Sequence, residues 1–318
     1  MLRIAFTALV LLASVSVAAA QYPQRPVKVV VPYAAGGGTD VQARYMAARL
    51  SERLGQQVVI ENNGGAGGSI ATAAVSKAEP DGHTLLFIAP AVAINASLYL
   101  RPGYDAVADF VPVAGWAQSP LLFLRNPSLP VADLNALAAH AKANPGKLAF
   151  GSGPGFVNHM VMELFKLDAG ADILFVPYRG QAPAMTDLIG GRIQLTVDSL
   201  ASAGPFVESG KVQAIATTSA ERLPSLAQVP TVAESGFPRL TGPTWYGLLA
   251  PARTPPEIVA KLAAEIAAIQ SEPAAAKRIA ELGGEPFVKG PEDFARFYRD
   301  EVAKWAEVIA KSGMKKVE

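Results

Sequence analysis

The stretch VVVPYAAGGGTDVQARYMAARL, residues 29–50, joins an apolar run to a helical pattern through three consecutive glycines. The apolar run stops at Pro32, and Thr39 and Asp40 follow the glycines, where either side chain can cap a helix. Glycine loses much conformational freedom on folding. A run of glycines therefore indicates that the backbone must make a tight turn or come close to a ligand. Two explanations stay open here: a plain tight turn, or a ligand anion held close to the N–H groups of a helix N-terminus.

The glycine loop at residues 36–38 lacks the signatures of nucleotide-binding loops. A P-loop continues with Lys and then Ser or Thr after its last glycine, and no such pair follows here. The glycines also lack the Gly-x-Gly-x-x-Gly spacing and the ribose-binding acid of dinucleotide sites. A nucleotide ligand is therefore disfavoured.

A second glycine loop, GSGPG at residues 151–155, also follows a short strand pattern and precedes a helical pattern that carries His159. Two strand–glycine–helix loops, one in each half of the chain, favour two helix N-termini that face one ligand. The simplest ligand for such a pair is an organic carboxylate. A third glycine run, residues 64–68, reads more simply as a flexible turn.

Short β-branched runs alternate with Ala-rich helical patterns through the first two thirds of the chain, which indicates a doubly wound α/β fold. Strands are predicted at residues 27–31, 58–61, 84–88, 148–150, 174–176, 193–197 and 212–217, and helices at 39–54, 69–77, from 158 onwards, and at 183–190. Two apolar runs, residues 115–126 and 244–251, are predicted to cross between two lobes. The last third predicts helices at 255–270, 273–282 and 291–312, the last with a core-facing stripe of Phe294, Phe297, Trp305 and Ile309.

Residues 1–20 have the pattern of a cleaved export signal: Arg3, an uncharged apolar stretch, and Ala18 to Ala20 before a mature N-terminus at Gln21. An uncleaved membrane anchor is the alternative, although the stretch is short for one. Removal of Arg3 leaves equal numbers of acidic and basic residues, because the full chain has 28 Lys and Arg against 27 Asp and Glu. That balance argues against nucleic acid as a partner. The absence of cysteine excludes disulfides and thiolate metal sites.

An enzyme has little support from the motifs. Neither a His-Glu-x-x-His zinc pattern nor a Gly-x-Ser-x-Gly nucleophile elbow occurs, and no cofactor or metal site is predicted. An exported hydrolase or isomerase that uses Ser152, His159 and Asp198 stays as the alternative function. His83 reads as structural and His140 as solvent-facing, whereas His159 is expected either to hold its glycine loop or to meet a ligand.

An ordered set of motifs resembles the substrate-binding proteins of tripartite tricarboxylate transporters, the Bug receptors. The set runs PYAAGGGTD at 32–40, NNGGAGG at 62–68, DGHTLL at 81–86, VPYRGQAPA at 176–184, DLIGG at 187–191, VD at 197–198 and TWYG at 244–247. The resemblance covers the chain from about residue 22 to its end.

This resemblance implies a periplasmic, monomeric receptor with a two-lobed, type II-like periplasmic-binding-protein fold of class α/β, in which each lobe is a sheet flanked by helices and two hinge strands cross between them. The first lobe is expected to hold residues 21–120 and 250–318, and the second residues 121–249. A carboxylate ligand would be clamped between the lobes. The expected partners are membrane components of such a transporter or a sensor kinase.

The resemblance also implies which residues meet the ligand. We expect the ligand-binding set to be Tyr33, Gly37, Gly38, Thr39, Asp40, Asn95, Ser152, Gly155, Phe156, His159, Tyr178 and Asp198. Arg179 is expected to act either as a carboxylate clamp or, more simply, as a loop residue.

The second glycine loop departs from the family pattern. The segment 151–159 is one residue shorter than the pattern, and Phe156 and Val157 stand where small or polar residues are usual. One interpretation is a repacked turn with the ligand unchanged. The other is a pocket that has lost a hydroxyl and gained an aromatic face, which would favour an aromatic or otherwise apolar carboxylate.

Overall fold

The computed structural model describes residues 22–312 and 315–317. The predicted export signal, residues 1–20, and the expected mature N-terminus at Gln21 lie outside the described residues, so both stay predictions. No helix within the described part of the chain is long and apolar enough to span a membrane. Nor do these residues bring together three or more His, Asp or Glu side chains that could hold a metal ion.

Strands and helices alternate along most of the chain. The first lobe and the crossing to the second contain β1 (Val27–Val31), α1 (Gly38–Leu54), β2 (Val58–Asn62), α2 (Ser69–Val75), β3 (Thr84–Ile88), α3 (Ala91–Leu98), β4 (Phe110–Ser119) and β5 (Leu121–Arg125). There follow α4 (Leu134–Ala143), β6 (Ala149–Ser152), α5 (Val157–Ala169), β7 (Leu174–Pro177), α6 (Gln181–Ile189), β8 (Leu195–Ser199), α7 (Leu200–Glu208) and β9 (Gln213–Thr217). The chain ends with β10 (Thr244–Pro251), α8 (Pro256–Gln270), α9 (Pro273–Glu281), β11 (Glu285–Pro286) and α10 (Pro291–Ser312).

The described strands form two mixed sheets, one in each lobe. The first has six strands in the order β11-β4-β10-β3-β1-β2, and the second has five in the order β7-β6-β8-β5-β9. Strands β1, β2 and β3 pair in parallel, as do β6, β7 and β8. The predicted two-lobed α/β architecture is confirmed, with antiparallel pairs added by β4, β5, β9 and β10.

Local sequence explains where several helices begin and end. Helix α1 ends at Gly55, which takes the left-handed conformation and donates its N–H to the Ser51 carbonyl. Helices α8 and α9 each have a proline in the first turn, where the missing N–H has no helical partner to lose. In α10, Phe294, Trp305 and Ile309 are buried and Phe297 is partly buried, which confirms the predicted apolar stripe.

The chain crosses between the sheets at Pro120, since β4 belongs to the six-stranded sheet and β5 to the five-stranded sheet. The predicted return crossing at residues 244–251 does not run between the two sheets. Strand β10 lies wholly in the six-stranded sheet, where all of its residues are buried between β3 and β4. The predicted limit at residue 249 therefore falls inside β10, and we propose that the second lobe ends before Thr244.

Candidate functional site

A small cavity of about 60 Å³ lies between the two lobes and is called the inner cavity below. Its walls come mainly from the first turns of five helices in the described chain. These are residues 37–39 at α1, 89–91 at α3, 156–158 at α5, 180–182 at α6, and 198–199 just before α7. The cleft is thus built from helix N-termini that belong to both lobes.

None of these five helices is capped by a side chain at its N-terminus. By contrast α4, away from the cleft, is capped by Asp133, whose carboxylate accepts the N–H of Ala136 at 2.8 Å. The first N–H groups of a helix have no partner within it, and together they carry roughly half a positive charge. The uncapped N-termini therefore make the inner cavity attractive to an anion. Among the described residues that line it, none is lysine, arginine or histidine.

Asp40 shapes the first glycine loop from behind. Its Oδ2 accepts the Gly36 N–H at 2.9 Å and the Arg44 Nε–H at 3.0 Å, and its Oδ1 accepts Asn62 Nδ2 at 2.9 Å. Burial alone would raise the pKa of Asp40, but these hydrogen bonds outweigh it and hold the pKa below its usual value. Within the described chain Asp40 does not line the inner cavity. The geometry gives Asp40 a positioning role in the loop, and its predicted contact with the ligand stays a prediction.

Asp198 lies on the cavity wall, and it is the one carboxylate among the described residues that line the inner cavity. Its side chain is almost fully buried, and Oδ1 accepts the Ser199 N–H at 2.7 Å. Burial raises the pKa of Asp198 to about 7, although hydrogen bonds from Ser202, Ser199 and Asn158 act in the opposite direction. The carboxyl can therefore be neutral beside a bound anion.

Ser152 and the second glycine loop lie differently from the prediction. The Ser152 hydroxyl is fully buried, 3.4 Å from the Gly153 carbonyl and 3.5 Å from Gln181 Oε1. In the described structure it does not line the inner cavity. Ser152 thus packs beneath the loop in this structure, and its predicted contact with the ligand stays a prediction.

His159 holds the second glycine loop in place. Its Nδ1 accepts the Gly155 N–H at 3.3 Å, and its ring stacks on Phe175 with centroids 4.0 Å apart. Burial, helped by the charge of Lys166, lowers the pKa of His159 to about 4, so the ring is neutral at physiological pH. Of the two roles predicted for His159, the geometry supports holding the loop, and contact with the ligand stays a prediction.

Gly155 and Asn95 bring the two lobes into direct contact beside the cleft. A Cβ atom on Gly155 would lie 1.9 Å from Asn95 Oδ1, so only glycine permits this approach. The Asn95 amide also donates to the Gly67 carbonyl at 2.7 Å. Among the described residues, Asn95 and Gly155 do not line the inner cavity, but they meet between the lobes, and their predicted contact with the ligand stays a prediction.

Tyr33 and Phe156 face each other across the cleft, with ring centroids 5.1 Å apart and planes at 79°. Both residues line the inner cavity and also a larger space of about 680 Å³, called the outer groove below. Among the described residues, Tyr178 and Arg179 line the outer groove but not the inner cavity. The Tyr178 hydroxyl donates to Asp187 Oδ2 at 2.7 Å.

The inner cavity brings together six residues of the predicted ligand-binding set: Tyr33, Gly37, Gly38, Thr39, Phe156 and Asp198.

The alternative catalytic triad is not assembled in the described structure. Ser152 lies against Gly153 and Gln181, His159 bonds Gly155, and Asp198 bonds Ser199. Each side chain therefore has a different partner from the one that a proton relay requires.

Several cavity-lining residues were missed by sequence reasoning: Ala34, Ala89, Pro90, Ala91, Leu121, Asn158, Gly180, Gln181, Ala182, Ser199, Thr244 and Tyr246. Most of them stand at the ends of strands or the starts of helices. The sequence signal for these positions is a strand that ends where a helix begins. The prediction applied that signal only at the two glycine loops.

Comparison with known proteins identifies the same class of molecule. The model of the tripartite tricarboxylate transporter family receptor matches residues 42–314. Protein BugT of Bordetella pertussis is 37% identical over 302 residues, which cover 94% of this chain and 93% of that protein. The structure of R. palustris Rpa4515 with adipate has a TM-score of 0.90 and 38% identity, covering 93% of this chain and all of that chain. MatC from Rhodopseudomonas palustris with bound malate has a TM-score of 0.86 and 34% identity, covering 91% of this chain and all of that chain.

Two α/β lobes around a cleft of helix N-termini define a solute-binding protein. The chain belongs to the tripartite tricarboxylate transporter receptor family, since the family model and the relatives span most of its length. The resemblance predicted from the motifs is confirmed. Members of this family are periplasmic solute-binding receptors.

Proposed function

We propose that the protein is an exported receptor that holds an organic carboxylate in the inner cavity for uptake or sensing. The observation that carries this proposal is the meeting of five uncapped helix N-termini at one cavity in the described chain. Neutral backbone donors can hold a carboxylate without desolvating a counter-charge. Such a site combines capture with release, as a receptor must.

Two structural neighbours support a carboxylate as the ligand, because one was solved with adipate and the other with malate. These acids differ in length and polarity, so neither identifies the ligand of this chain. What they share is a carboxylate group, and that group fits the N-terminal turns of the inner cavity.

The proposed location and partners of the receptor rest on the family and on the sequence. The predicted signal at residues 1–20 supports export to the periplasm, where the family acts. We propose that the closed, monomeric receptor presents its ligand to the membrane components of a tripartite tricarboxylate transporter. A sensor kinase is the other candidate partner, and a pull-down with ligand-saturated receptor from membranes distinguishes the two.

A thermal-shift panel tests the proposed ligand class. Mature protein, residues 21–318, is dialysed free of retained ligand and then melted with carboxylates and with their neutral primary amides. A ligand at 100 times its Kd should stabilise the fold by about 2.7 kcal/mol. Carboxylates should raise the melting temperature and the matched amides should not. Equal shifts with the amides would contradict an anion site.

A second readout separates a receptor from an enzyme. Mass spectrometry after incubation with excess carboxylate should recover the acid unchanged, with a stoichiometric amount bound to the protein. Progressive conversion of the excess would instead support the hydrolase or isomerase alternative.

A further inference from the structure

A second space adjoins the inner cavity and is called the side space below. It lies between the first glycine loop and helices α6 and α7. The described residues that line it are Gly36, Gly37, Gln181, Ala182, Met185, Thr186, Ile189, Asp198, Ser202 and Phe206. Four of them, Gly37, Gln181, Ala182 and Asp198, also line the inner cavity. The side space therefore begins at the helix N-termini where the carboxylate is proposed to bind.

Much of the side-space wall is apolar. Ala182, Met185 and Ile189 stand three and four residues apart on α6, so they share one face of that helix. Phe206 of α7 adds a ring to this wall. Met185, Ile189 and Phe206 all pack on the apolar cluster of the second lobe, which holds them in place. The wall therefore offers an alkyl or aryl group a fixed apolar surface to bury.

Polar side chains of α6 in the side space already have partners within the protein. Gln181 Nε2 donates to Thr196 Oγ1 at 2.7 Å and to the Val197 carbonyl at 2.9 Å. The Thr186 hydroxyl donates to the Ala182 carbonyl at 3.1 Å. A ligand oxygen in the side space would have to compete with these bonds.

The charges around the side space disfavour a second anion. Among the described residues that line it, none is lysine, arginine or histidine, and Asp198 is the one ionisable side chain. The Ser202 hydroxyl lies 3.3 Å from Ser199 Oγ, and the Gly36 N–H is already bonded to Asp40. A second carboxylate would be desolvated here beside an acidic group and without a cation, which is costly.

The outer groove has a different character. Arg179 lines it with an exposed side chain, and so do the backbone groups of the glycine run at residues 64–68. A dicarboxylate that extended into the outer groove would find a guanidinium for its second charge. The two spaces therefore lead to opposite preferences between mono- and dicarboxylates.

We propose that the side space is a subsite for an apolar substituent of the bound acid, so that the receptor selects monocarboxylates with an alkyl or aryl tail over dicarboxylates. This inference rests on the proposed function and specifies its ligand class. It extends the sequence-based hypothesis of an apolar carboxylate, with the apolar contact placed at α6 and α7 and not at Phe156.

Pairs of acids with equal carbon number test the proposal by isothermal titration: butyrate against succinate, hexanoate against adipate, and octanoate against suberate. In wild type, hexanoate should bind at least about tenfold more tightly than adipate, because the second carboxylate of adipate lacks a partner in the side space. Affinity should rise about three- to fourfold for each methylene that enters the side space.

Phe206→Ala removes part of the apolar wall. It should weaken hexanoate binding about fivefold or more and acetate binding much less, because acetate has no tail to reach the wall. Phe297→Ala is the matched control and should leave both affinities unchanged. Phe297 is a partly buried ring packed on Phe287 and Trp245, and it is not among the described residues that line either space.

Thr186→Lys adds a cation at an exposed position on the side space and leaves the core untouched. It should narrow the gap between hexanoate and adipate by about two- to fivefold. Val59→Lys adds the same charge at a half-exposed position on β2, which is not among the described residues of either space. Its gap should match that of wild type.

Wild type that binds adipate as tightly as hexanoate would overturn the proposal, and so would an unchanged hexanoate affinity in Phe206→Ala. A dicarboxylate preference that disappears in Arg179→Ala would overturn it by placing the ligand in the outer groove. In these three cases carboxylates still bind, so the proposed function survives. Binding of no carboxylate by any variant would overturn the proposed function together with the inference.

Discussion

Gly38 and Ser199 meet across the cleft so closely that a Cβ atom on Gly38 would lie 2.6 Å from the Ser199 hydroxyl oxygen. The Tyr246 hydroxyl would be 3.0 Å from the same atom. Gly38 opens α1 in the first lobe, and Ser199 precedes α7 in the second. The two helix N-termini can therefore approach one ligand together only because residue 38 has no side chain.

A methyl group at this contact should weaken binding by holding the lobes apart. Gly38→Ala is expected to lower carboxylate affinity about tenfold or more, which corresponds to a loss of about 1.4 kcal/mol. Gly204→Ala is the matched control, because Gly204 is not among the described residues that line the inner cavity and its Cβ would meet nothing nearer than a Leu200 methyl carbon at 3.9 Å. Isothermal titration measures the affinity, and small-angle scattering measures compaction on ligand saturation. Wild-type affinity and compaction in Gly38→Ala would contradict the close approach.

Asp198 should make carboxylate binding depend on pH. The groups that face it are Ser199, Ser202, Asn158 and Tyr246, and the pKa of Asp198 is raised to about 7 chiefly by burial. Below that pH the neutral carboxyl tolerates an anion, whereas above it the ionised carboxylate repels one. Affinity for the carboxylate that binds best in the thermal-shift panel should therefore fall above pH 7, by up to about tenfold per unit.

The control for this effect is Asp198→Asn, which keeps the size of the side chain and removes its titration. Isothermal titration of the same carboxylate between pH 7 and 9, where simple carboxylates stay fully ionised, should show a flat profile for this variant. The same decline in Asp198→Asn as in wild type would refute the assignment to Asp198.

His159 should make the fold sensitive to acid. Its pKa is lowered by burial to about 4 from an ordinary value of 6.5, so the unfolded chain takes up the proton first as pH falls. The stabilisation is present in full above pH 6.5 and is lost as pH falls toward 4. At pH 4.5 the loss should be about 2–3 kcal/mol relative to pH 7.

His159→Phe removes that acid-dependent loss while it keeps a ring against Phe175. Its melting temperature should change less between pH 7 and pH 4.5 than that of wild type. The opposing contribution of Asp198 is the same in both proteins and cancels in the comparison. His140→Phe serves as a control on α4, away from the loop. An identical pH response in wild type and His159→Phe would show that the ring is not the titrating group.

Glu301 fixes α10 to β10 through two buried indoles. Its Oε2 accepts Trp245 Nε1 at 2.8 Å and Trp305 Nε1 at 3.1 Å. Glu301→Ala leaves both donors without this acceptor and should destabilise the fold by about 2–5 kcal/mol. Glu307→Ala, which removes an exposed pair with Lys311 on the same helix, should stay within about 0.5 kcal/mol. Urea unfolding midpoints measure the stability of both variants. Equal midpoints for Glu301→Ala and Glu307→Ala would contradict the stabilising role of Glu301 between α10 and β10.

Much of the fold could be predicted from the sequence, because strand runs and helical periodicity are local. The strand at 27–31 and the helix at 291–312 were predicted with the bounds that the structure has. Helix α7 was missed because Pro205 inside it reads as a helix breaker. The return crossing was misplaced because β10 is buried and mostly apolar along its whole length. Such a pattern does not show which of the two sheets the strand joins.

The candidate site was predictable only in part. Strand ends and glycine loops located the cleft, and Gly37, Gly38 and Thr39 do line it. Sequence does not reveal the face of a loop toward which a side chain points. Asp40, Ser152 and His159 flank the loops, in α1, β6 and α5, and lie behind them, where they bond the backbone or pack beneath it. The position of Phe156 depends on contact between lobes distant in sequence, which no local pattern encodes.

The most direct test of the account is a crystal structure of the mature protein with the carboxylate that stabilises it most in the thermal-shift panel. We predict that the carboxylate lies in the inner cavity, with its oxygens about 3 Å from backbone N–H groups in the first turn of α1 and of at least one helix of the second lobe. No lysine, arginine or histidine side chain should contact it. A carboxylate paired with Arg179 in the outer groove would contradict the account, because the anion would then be held by a charged side chain and not by helix N-termini.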